Sequence, residues 1–516
     1  MNTAISQDDT QKFFYRILFA VFLLRLALAV WVPMTGDEAY FIVWGKNLDY
    51  GYYDHTPLVG WLLAALLTVS DAAWWLRLPS VLLPVVLSYW IYRILQPRQP
   101  QLAVWVALVY LVAPVNIVNF LITTDTPLIF FSFISAWFFY RALYDNKSNN
   151  TANKHAYLYF MLAGLFLGLA FFSKYFAIFL GFSYGFYIIL FHRNKSSFSG
   201  LGLILLMVVP FVALNILWNY NHCWNNILFN LFNRTEGADD SLSSLLKYIG
   251  MLVYLFSPFL LYFLYQNKQL LSKYTTNDFN RMYLWVAVFP LFLFLFLLVR
   301  KEVGLHWVFS FYPFAFIAVA GLLTLKQWRW TFHFMWLLSL LHIIGLVSVL
   351  TLPVETFSAK KEAVQNLVFG KYSNEVLAEL KPYEKNYTFA TISYGMSSVA
   401  SYYSGKHFIV FDKASFHARE DEQLTDYKKL DGKNILIFKR TASNLDKLSQ
   451  YFKSSQRKTI IVRNATFELL LGDNFNYALY RENVLKEINR DFYAIPKWLP
   501  VGQCEFKDKY GFTANK

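Results

Sequence analysis

The feature that most constrains this chain is the recurrence of apolar runs about as long as a bilayer is thick. A helix needs about 20 mostly apolar residues to cross the hydrocarbon layer. Runs of that kind occupy roughly 13–32, 75–95, 101–121, 126–144, 157–173, 175–191, 200–217, 247–266, 282–300, 304–324 and 330–352. Leu58 to Val69 is apolar too, but at 1.5 Å per residue it reaches only about 18 Å. It is expected to lie along the interface. Only 16% of the residues are charged, against about 25% in soluble domains, while 56% are hydrophobic and 20% aromatic. The sequence predicts a polytopic α-helical membrane protein of about 11 spans.

The net charge of +14 does not indicate a nucleic-acid partner, because much of it lies in short loops between spans. With the N-terminus inside and Leu58–Val69 not crossing, alternate loops sort by charge. Arg93, Arg98, Arg141, Arg193, Lys273, Lys326 and Arg329 fall inside. Asp37, Glu38, Asp54, Asp71, Asp125, Asp239 and Asp240 fall outside. That is the asymmetry expected of cytoplasmic and external loops. Lys12 and Arg16 before the run from Ile17 to Val32 resemble the start of a signal peptide. The run is long for one and lacks a small-x-small cleavage site, so a retained first span is expected.

An odd number of crossings puts the C-terminal segment outside with the acidic loops. From about Thr356 charges of both signs become dense and apolar runs shorten. Asn434–Phe438 and Thr459–Val462 read as buried strands, and Val376–Leu380 and Asn444–Phe452 as helices. The expected division is a membrane domain, 1–355, and an external soluble α/β domain, 356–516. Cys223 and Cys504 fit no metal or disulfide framework. Two free thiols are the expectation, with pairing between them left open.

Chemistry concentrates at the outer face. Asp37 and Glu38 follow the first span, and Tyr50, Tyr52, Tyr53, Asp54 and His55 return polar and aromatic groups to the boundary before Pro57. A carboxylate held beside a bilayer among aromatics suits a general base. Asp125, in Thr124-Asp125-Thr126-Pro127, reads either as a helix cap or as a second acid of the site. Lys174 lies in a turn of almost no length between apolar helices. With Arg300 and His306 it would meet an anionic lipid head group, a phosphate above all; the alternative for Lys174 is simple snorkelling. Trp218 opens an aromatic-rich stretch fit to wall a sugar. Asp54, His55 and His222 are the residues a divalent metal would use, although no ligand spacing links them and no cofactor is required. There is no nucleotide-binding glycine loop.

Gly36-Asp37-Glu38-Ala39-Tyr40 with Gly51-Tyr52-Tyr53-Asp54-His55-Thr56-Pro57 resembles the first outer loop of the bacterial branch of the protein O-mannosyltransferase family. These are GT-C-fold enzymes that use polyprenyl-phosphate sugars and include the aminoarabinose transferase of lipid A. Thr124-Asp125-Thr126-Pro127, Ser173-Lys174-Tyr175, Trp218-Asn219, His306-Trp307 and Tyr394-Gly395-Met396 resemble later landmarks in the same order. The resemblance implies a GT-C architecture in the bacterial inner membrane. It implies inverting transfer of a sugar from a polyprenyl-phosphate donor to lipid A or another envelope glycan at the periplasmic face. Asp37 matches the catalytic acid, with Glu38 beside it, and Asp125 the second-loop acid. Lys174 and Arg300 are candidates for the lipid phosphate, with His55, Tyr53, His306 and Trp218 as further substrate contacts. His55 stands where the aminoarabinose enzymes carry a lysine, which leaves the sugar open. A protein O-glycosyltransferase is the alternative acceptor class, and a flippase of lipid-linked sugars the alternative function.

Overall fold

The computed structural model describes residues 7–144, 152–231, 241–298, 303–357, 360–413, 419–441, 443–500 and 502–512. Contacts divide the chain into two compact units, neither contiguous in sequence. One comprises Met1–Trp31, Ser70–Leu214 and Thr235–Gly345; the other comprises Val32–Val69, Asn215–Arg234 and Leu346–Lys516. The second unit thus joins the first outer loop and the Trp218 stretch to the C-terminal segment.

The first unit is helical. Among the described residues, seven helices of the chain are long and apolar enough to cross a membrane. They are Asp9–Trp31, Ala73–Leu95, Asp125–Tyr144, His155–Ser173, Lys195–Asn221, Asp278–Leu297 and Leu325–Thr351. All seven coincide with expected spans, and the protein is a polytopic membrane protein. The expected span 247–266 is a pair, Leu242–Phe256 and Pro258–Gln266, bent by 88°. Ser257 takes a positive φ of 62° there and Pro258 has no N–H to continue the ladder.

Three expected spans are shorter than the sequence suggested. Pro100–Val112, Ala177–Phe191 and Tyr312–Leu322 have 10 to 17 residues each. Pro100–Val112 is buried along its whole length from Ala103 onward, and Ala113, extended before Pro114, ends it. An all-round apolar helix is read from sequence as a span, but protein rather than lipid surrounds this one. Arg25, fully buried in the first helix, donates hydrogen bonds to the carbonyls of Ser80, Val81, Ile117 and Asn119. This carbonyl cage lets a guanidinium sit among apolar helices.

In the second unit, helix Gly36–Lys46 is followed by the short helix Leu58–Leu67, the segment expected to be too short to cross. The C-terminal segment builds a five-stranded sheet of β1 (Thr388–Thr391), β2 (Ile409–Val410), β3 (Ile435–Lys439), β4 (Phe452–Val462) and β5 (Ala465–Phe475). The order is β2-β1-β3-β5-β4, with β1 parallel to both β2 and β3. Strands β4 and β5 form an antiparallel hairpin across Arg463-Asn464, both at positive φ, as a two-residue turn matched to strand twist requires. Strand β3 is buried throughout.

Strand β4 corrects an expectation. Thr459–Val462 is not a fully buried strand: Ile460 and Val462 face the core but Ile461 is 69% exposed, because β4 is the sheet edge. The expected helices appear as Ser373–Ala378 and Leu445–Ser449.

The cysteines also correct an expectation. Cys223 and Cys504 form a disulfide across 281 residues, so among the described residues no free thiol remains. Tyr53, Cys223, Phe229 and Cys504 share one hydrophobic core with sheet residues such as Ile409, Ile437 and Leu470. Cross-linking shrinks the unfolded ensemble, and removing a native disulfide costs about 2–5 kcal/mol. Cys223→Ser and Cys504→Ser are therefore expected to lower the thermal midpoint of the purified protein equally, and the double variant no further. Additive losses in a thermal-shift assay would show that the two sulfurs do not act as one bond.

Candidate active site

Helix Gly36–Lys46 begins with a capping box. Thr35 Oγ1 accepts from the Glu38 N–H at 3.4 Å, and the Glu38 carboxylate accepts from the Thr35 N–H at 3.1 Å and its hydroxyl at 3.0 Å. Such a box satisfies helix donors that would otherwise be orphaned. Glu38 is 1% exposed, whereas its neighbour Asp37 is exposed. The two adjacent acids therefore do different work: Glu38 fixes the helix start and Asp37 faces outward from it.

Asp37 accepts a hydrogen bond from the Tyr394 hydroxyl at 2.9 Å. Tyr394 opens helix Tyr394–Ser404, and the two helix starts meet at a glycine pair. A Cβ on Gly36 would lie 3.2 Å from Gly395 Cα, so a side chain there would push the starts apart. Burial pushes the Tyr394 phenol up to about 12, with Arg419 opposing and Asp37 adding to the shift. It stays a donor at neutral pH.

Arg419 links this pair to Asp54. Its guanidinium lies 3.8 Å from the centroid of the Tyr394 ring and pairs with Asp54 at 2.7 Å. Asp54 is 1% exposed and also accepts from the Tyr40 hydroxyl at 3.0 Å. Burial acts to raise the Asp54 carboxyl, but Arg419, His55 and Tyr40 together hold it well below the usual range. The next residue behaves oppositely. Burial pushes Glu420 up from the ordinary 4.5 to about 8 against the Tyr53 N–H that it accepts at 2.8 Å; Asp54 and Asp49 add to the rise.

Asp37 lies on a cavity of about 610 Å³ contained in the second unit. One wall is apolar, with Leu346, Leu350 and Phe357; Lys371, Arg440 and Ser393 supply polar groups. The cavity combines a carboxylate, two cations and an apolar wall, which suits an amphipathic anionic molecule.

The remaining expected residues fall as follows. Tyr53 is buried, its ring 5.9 Å from that of Phe229, and is not among the residues lining the Asp37 cavity. His55 lies 3.5 Å from Asp54 and 5.6 Å from the Trp44 ring. Trp218 stacks on His222 at 4.3 Å, and His222 Nε2 faces Asp49 at 3.7 Å. Asp54, His55 and His222 are not brought together: among the described residues no three His, Cys, Asp or Glu side chains form a metal-holding group. In the first unit Lys174 pairs with Asp125 at 2.8 Å, both buried. Trp307, beside the exposed His306, packs on Phe176 at 4.5 Å, which brings the expected Lys174 and His306 turns together. Arg300 lies outside the described residues.

The family model described as dolichyl-phosphate-mannose-protein mannosyltransferase matches residues 54–218. That stretch carries Asp54, His55, Asp125, Lys174 and Trp218 but not Asp37. A lipid A galacturonosyltransferase of Rhizobium johnstonii, RgtD, is 30% identical over 148 residues, which is 28% of this chain and 29% of the relative. The chain thus spans 29% of the length of the curated relative it matches. The fold of ArnT from Cupriavidus metallidurans matches over 89% of this chain and 97% of that one, at 13% identity. The TM-score is 0.60 for the apo structure and 0.61 for the structure bound to undecaprenyl phosphate. The chain shares the fold of that ArnT.

Sequence reading missed Arg419, Glu420, Lys371 and Arg440 as candidate site residues. The available signal was indirect: a buried Asp54 demands a strong cation, and the nearest lysine or arginine in sequence, Lys46, sits at the C-terminal end of the preceding helix.

Two outcomes follow. Arg419→Leu strands a buried carboxylate, which typically costs about 3–5 kcal/mol. Pairing it with Asp54→Asn is expected to restore much of the lost thermal midpoint; a double variant as unstable as the single one would refute the pairing. Glu420 binds its proton more tightly folded than unfolded. Its stabilising contribution is complete below about 4.5 and is lost as pH rises to about 8. Glu420→Gln is expected to flatten the fall in thermal midpoint between these values, and an unchanged slope would contradict the assignment.

Proposed function

We propose that this protein is an inverting glycosyltransferase that moves a sugar from a polyprenyl-phosphate donor to lipid A or a related envelope glycolipid. The observation that carries the reading is Asp37: an exposed carboxylate held by Tyr394 on an amphipathic, cationic cavity, in a chain with the fold of ArnT. The lipid A galacturonosyltransferase relative and the undecaprenyl phosphate bound by ArnT support this acceptor and this donor class. The Cys223–Cys504 disulfide supports an oxidising compartment for the second unit, such as the bacterial periplasm.

In the proposed step Asp37 removes the proton of an acceptor hydroxyl as its oxygen attacks the sugar C1. The bond from C1 to the donor phosphate breaks, polyprenyl phosphate leaves, and the configuration at C1 inverts. Tyr394 and Arg419 hold Asp37 in place, while Glu38 fixes the helix that presents it. The matching mannosyltransferase model favours a polypeptide acceptor as a second reading. The wall of Leu346, Leu350 and Phe357 beside Lys371 and Arg440 suits a lipid with an anionic head better than a peptide.

Asp37→Asn keeps the shape and an oxygen for Tyr394 but removes the base. Transfer from a radiolabelled polyprenyl-phosphate sugar by purified protein is expected to fall by about 10²–10⁴, with the thermal midpoint unchanged. Wild-type turnover in this variant would exclude Asp37 as the base. Failure of the wild-type protein to transfer any sugar in detergent would favour a flippase, which forms no covalent product.

A further inference from the structure

A second cavity, of about 600 Å³, lies wholly within the first unit. It forms where helices Leu78–Leu95 and Asp125–Tyr144 end and helix Asp278–Leu297 begins. Its lining includes Arg93, Arg98, Arg141, Trp90, Trp137 and Phe279. Arg141 follows Asp125 along one helix by about 24 Å at 1.5 Å per residue. The cavity therefore sits at the opposite membrane face from the Lys174–Asp125 pair.

Aromatic rings hold the three guanidinium groups. Arg98 lies 4.2 Å over the Phe279 ring and donates to the Tyr140 hydroxyl at 3.2 Å. Arg141 lies 4.6 Å over Tyr159 and 5.1 Å over Trp137. Arg93 donates to the Tyr89 hydroxyl at 2.8 Å. Among the described residues, no carboxylate lines the cavity. A guanidinium stacked on a ring face keeps N–H groups on its edge to donate. Charge bias between loops explains why arginines occur at this face, and the last turns of two helices favour Arg93 and Arg141 there. Neither effect requires three of them to converge on one cavity. The apolar rim matters as well: Val86 and Tyr89 line the cavity and are 38% and 37% exposed, giving an acyl chain a surface to follow.

We propose that this cavity binds the phosphate of an anionic phospholipid. The three arginines take its oxygens, and its acyl chain runs along Val86 and Tyr89. A basic pocket between membrane helices is a recognised setting for such head groups. The proposal is independent of the transferase reading, since it uses none of the residues assigned to that reaction.

The full-length protein, placed in phosphatidylcholine nanodiscs with graded phosphatidylglycerol, tests it by native mass spectrometry of retained lipid. Arg93→Gln/Arg98→Gln/Arg141→Gln is expected to weaken phosphatidylglycerol retention by about 100-fold, roughly fivefold per arginine, without changing phosphatidylcholine. Lys268→Gln/Lys273→Gln/Lys326→Gln, which removes equal charge elsewhere, is expected to retain phosphatidylglycerol like the wild type. If the triple arginine variant elutes as an aggregate, Arg98→Gln alone is read against the fivefold figure. Equal retention by wild type and arginine variants overturns the proposal. So does a matching loss in the lysine variant, or displacement of the lipid by millimolar inorganic phosphate, which would mark a site for free anions.

Discussion

Asp54 gives up its water on folding, and Arg419 is what makes that loss tolerable. A buried carboxylate without a partner would take a proton or force the loop open. The guanidinium at 2.7 Å keeps it charged and in place. The same guanidinium lies on the Tyr394 ring, and Tyr394 holds Asp37. One cation therefore transmits the position of the buried half of the first loop to the exposed carboxylate proposed to do the chemistry. Such a pair adds little net stability over an apolar substitute; its value is geometric.

The neighbouring acids show how one helix start separates a structural task from a chemical one. Consecutive residues on an α-helix point about 100° apart. Glu38 turns inward to close the capping box while Asp37 turns out to the cavity. By side-chain chemistry alone the two are interchangeable carboxylates, and only the resemblance singled out Asp37. The cap gives Glu38 its own task, and an acid at the N-terminus also suits the helix dipole.

What sequence made legible were features with a length or a period. Seven long spans, the short helix at Leu58 and the strands around Ile435 and Ile460 appear where the apolar pattern put them. Pattern could not distinguish lipid from protein as the surroundings of an apolar helix, so Pro100–Val112 was expected to span alone. Nor could it see that Ile461 points outward from an edge strand. The pairings that define the site lie beyond any local signal: Arg419 is 365 residues from Asp54, and Cys504 is 281 from Cys223. Tyr394-Gly395-Met396 resembles a family landmark, but nothing in that resemblance indicates that Tyr394 touches Asp37.

The second unit draws on three separated stretches of the chain, and this orders events during synthesis. The first loop emerges early, yet Arg419 and Tyr394 follow more than 350 residues later, after the membrane helices have been made. Cys223 must remain reduced until Cys504 arrives, although any earlier thiol partner would trap it. The candidate site is therefore among the last parts of the molecule to form. A chain interrupted before residue 394 carries Asp37 on the acidic loop but lacks both the phenol and the cation that hold it. Such a fragment would carry the membrane helices without the candidate site.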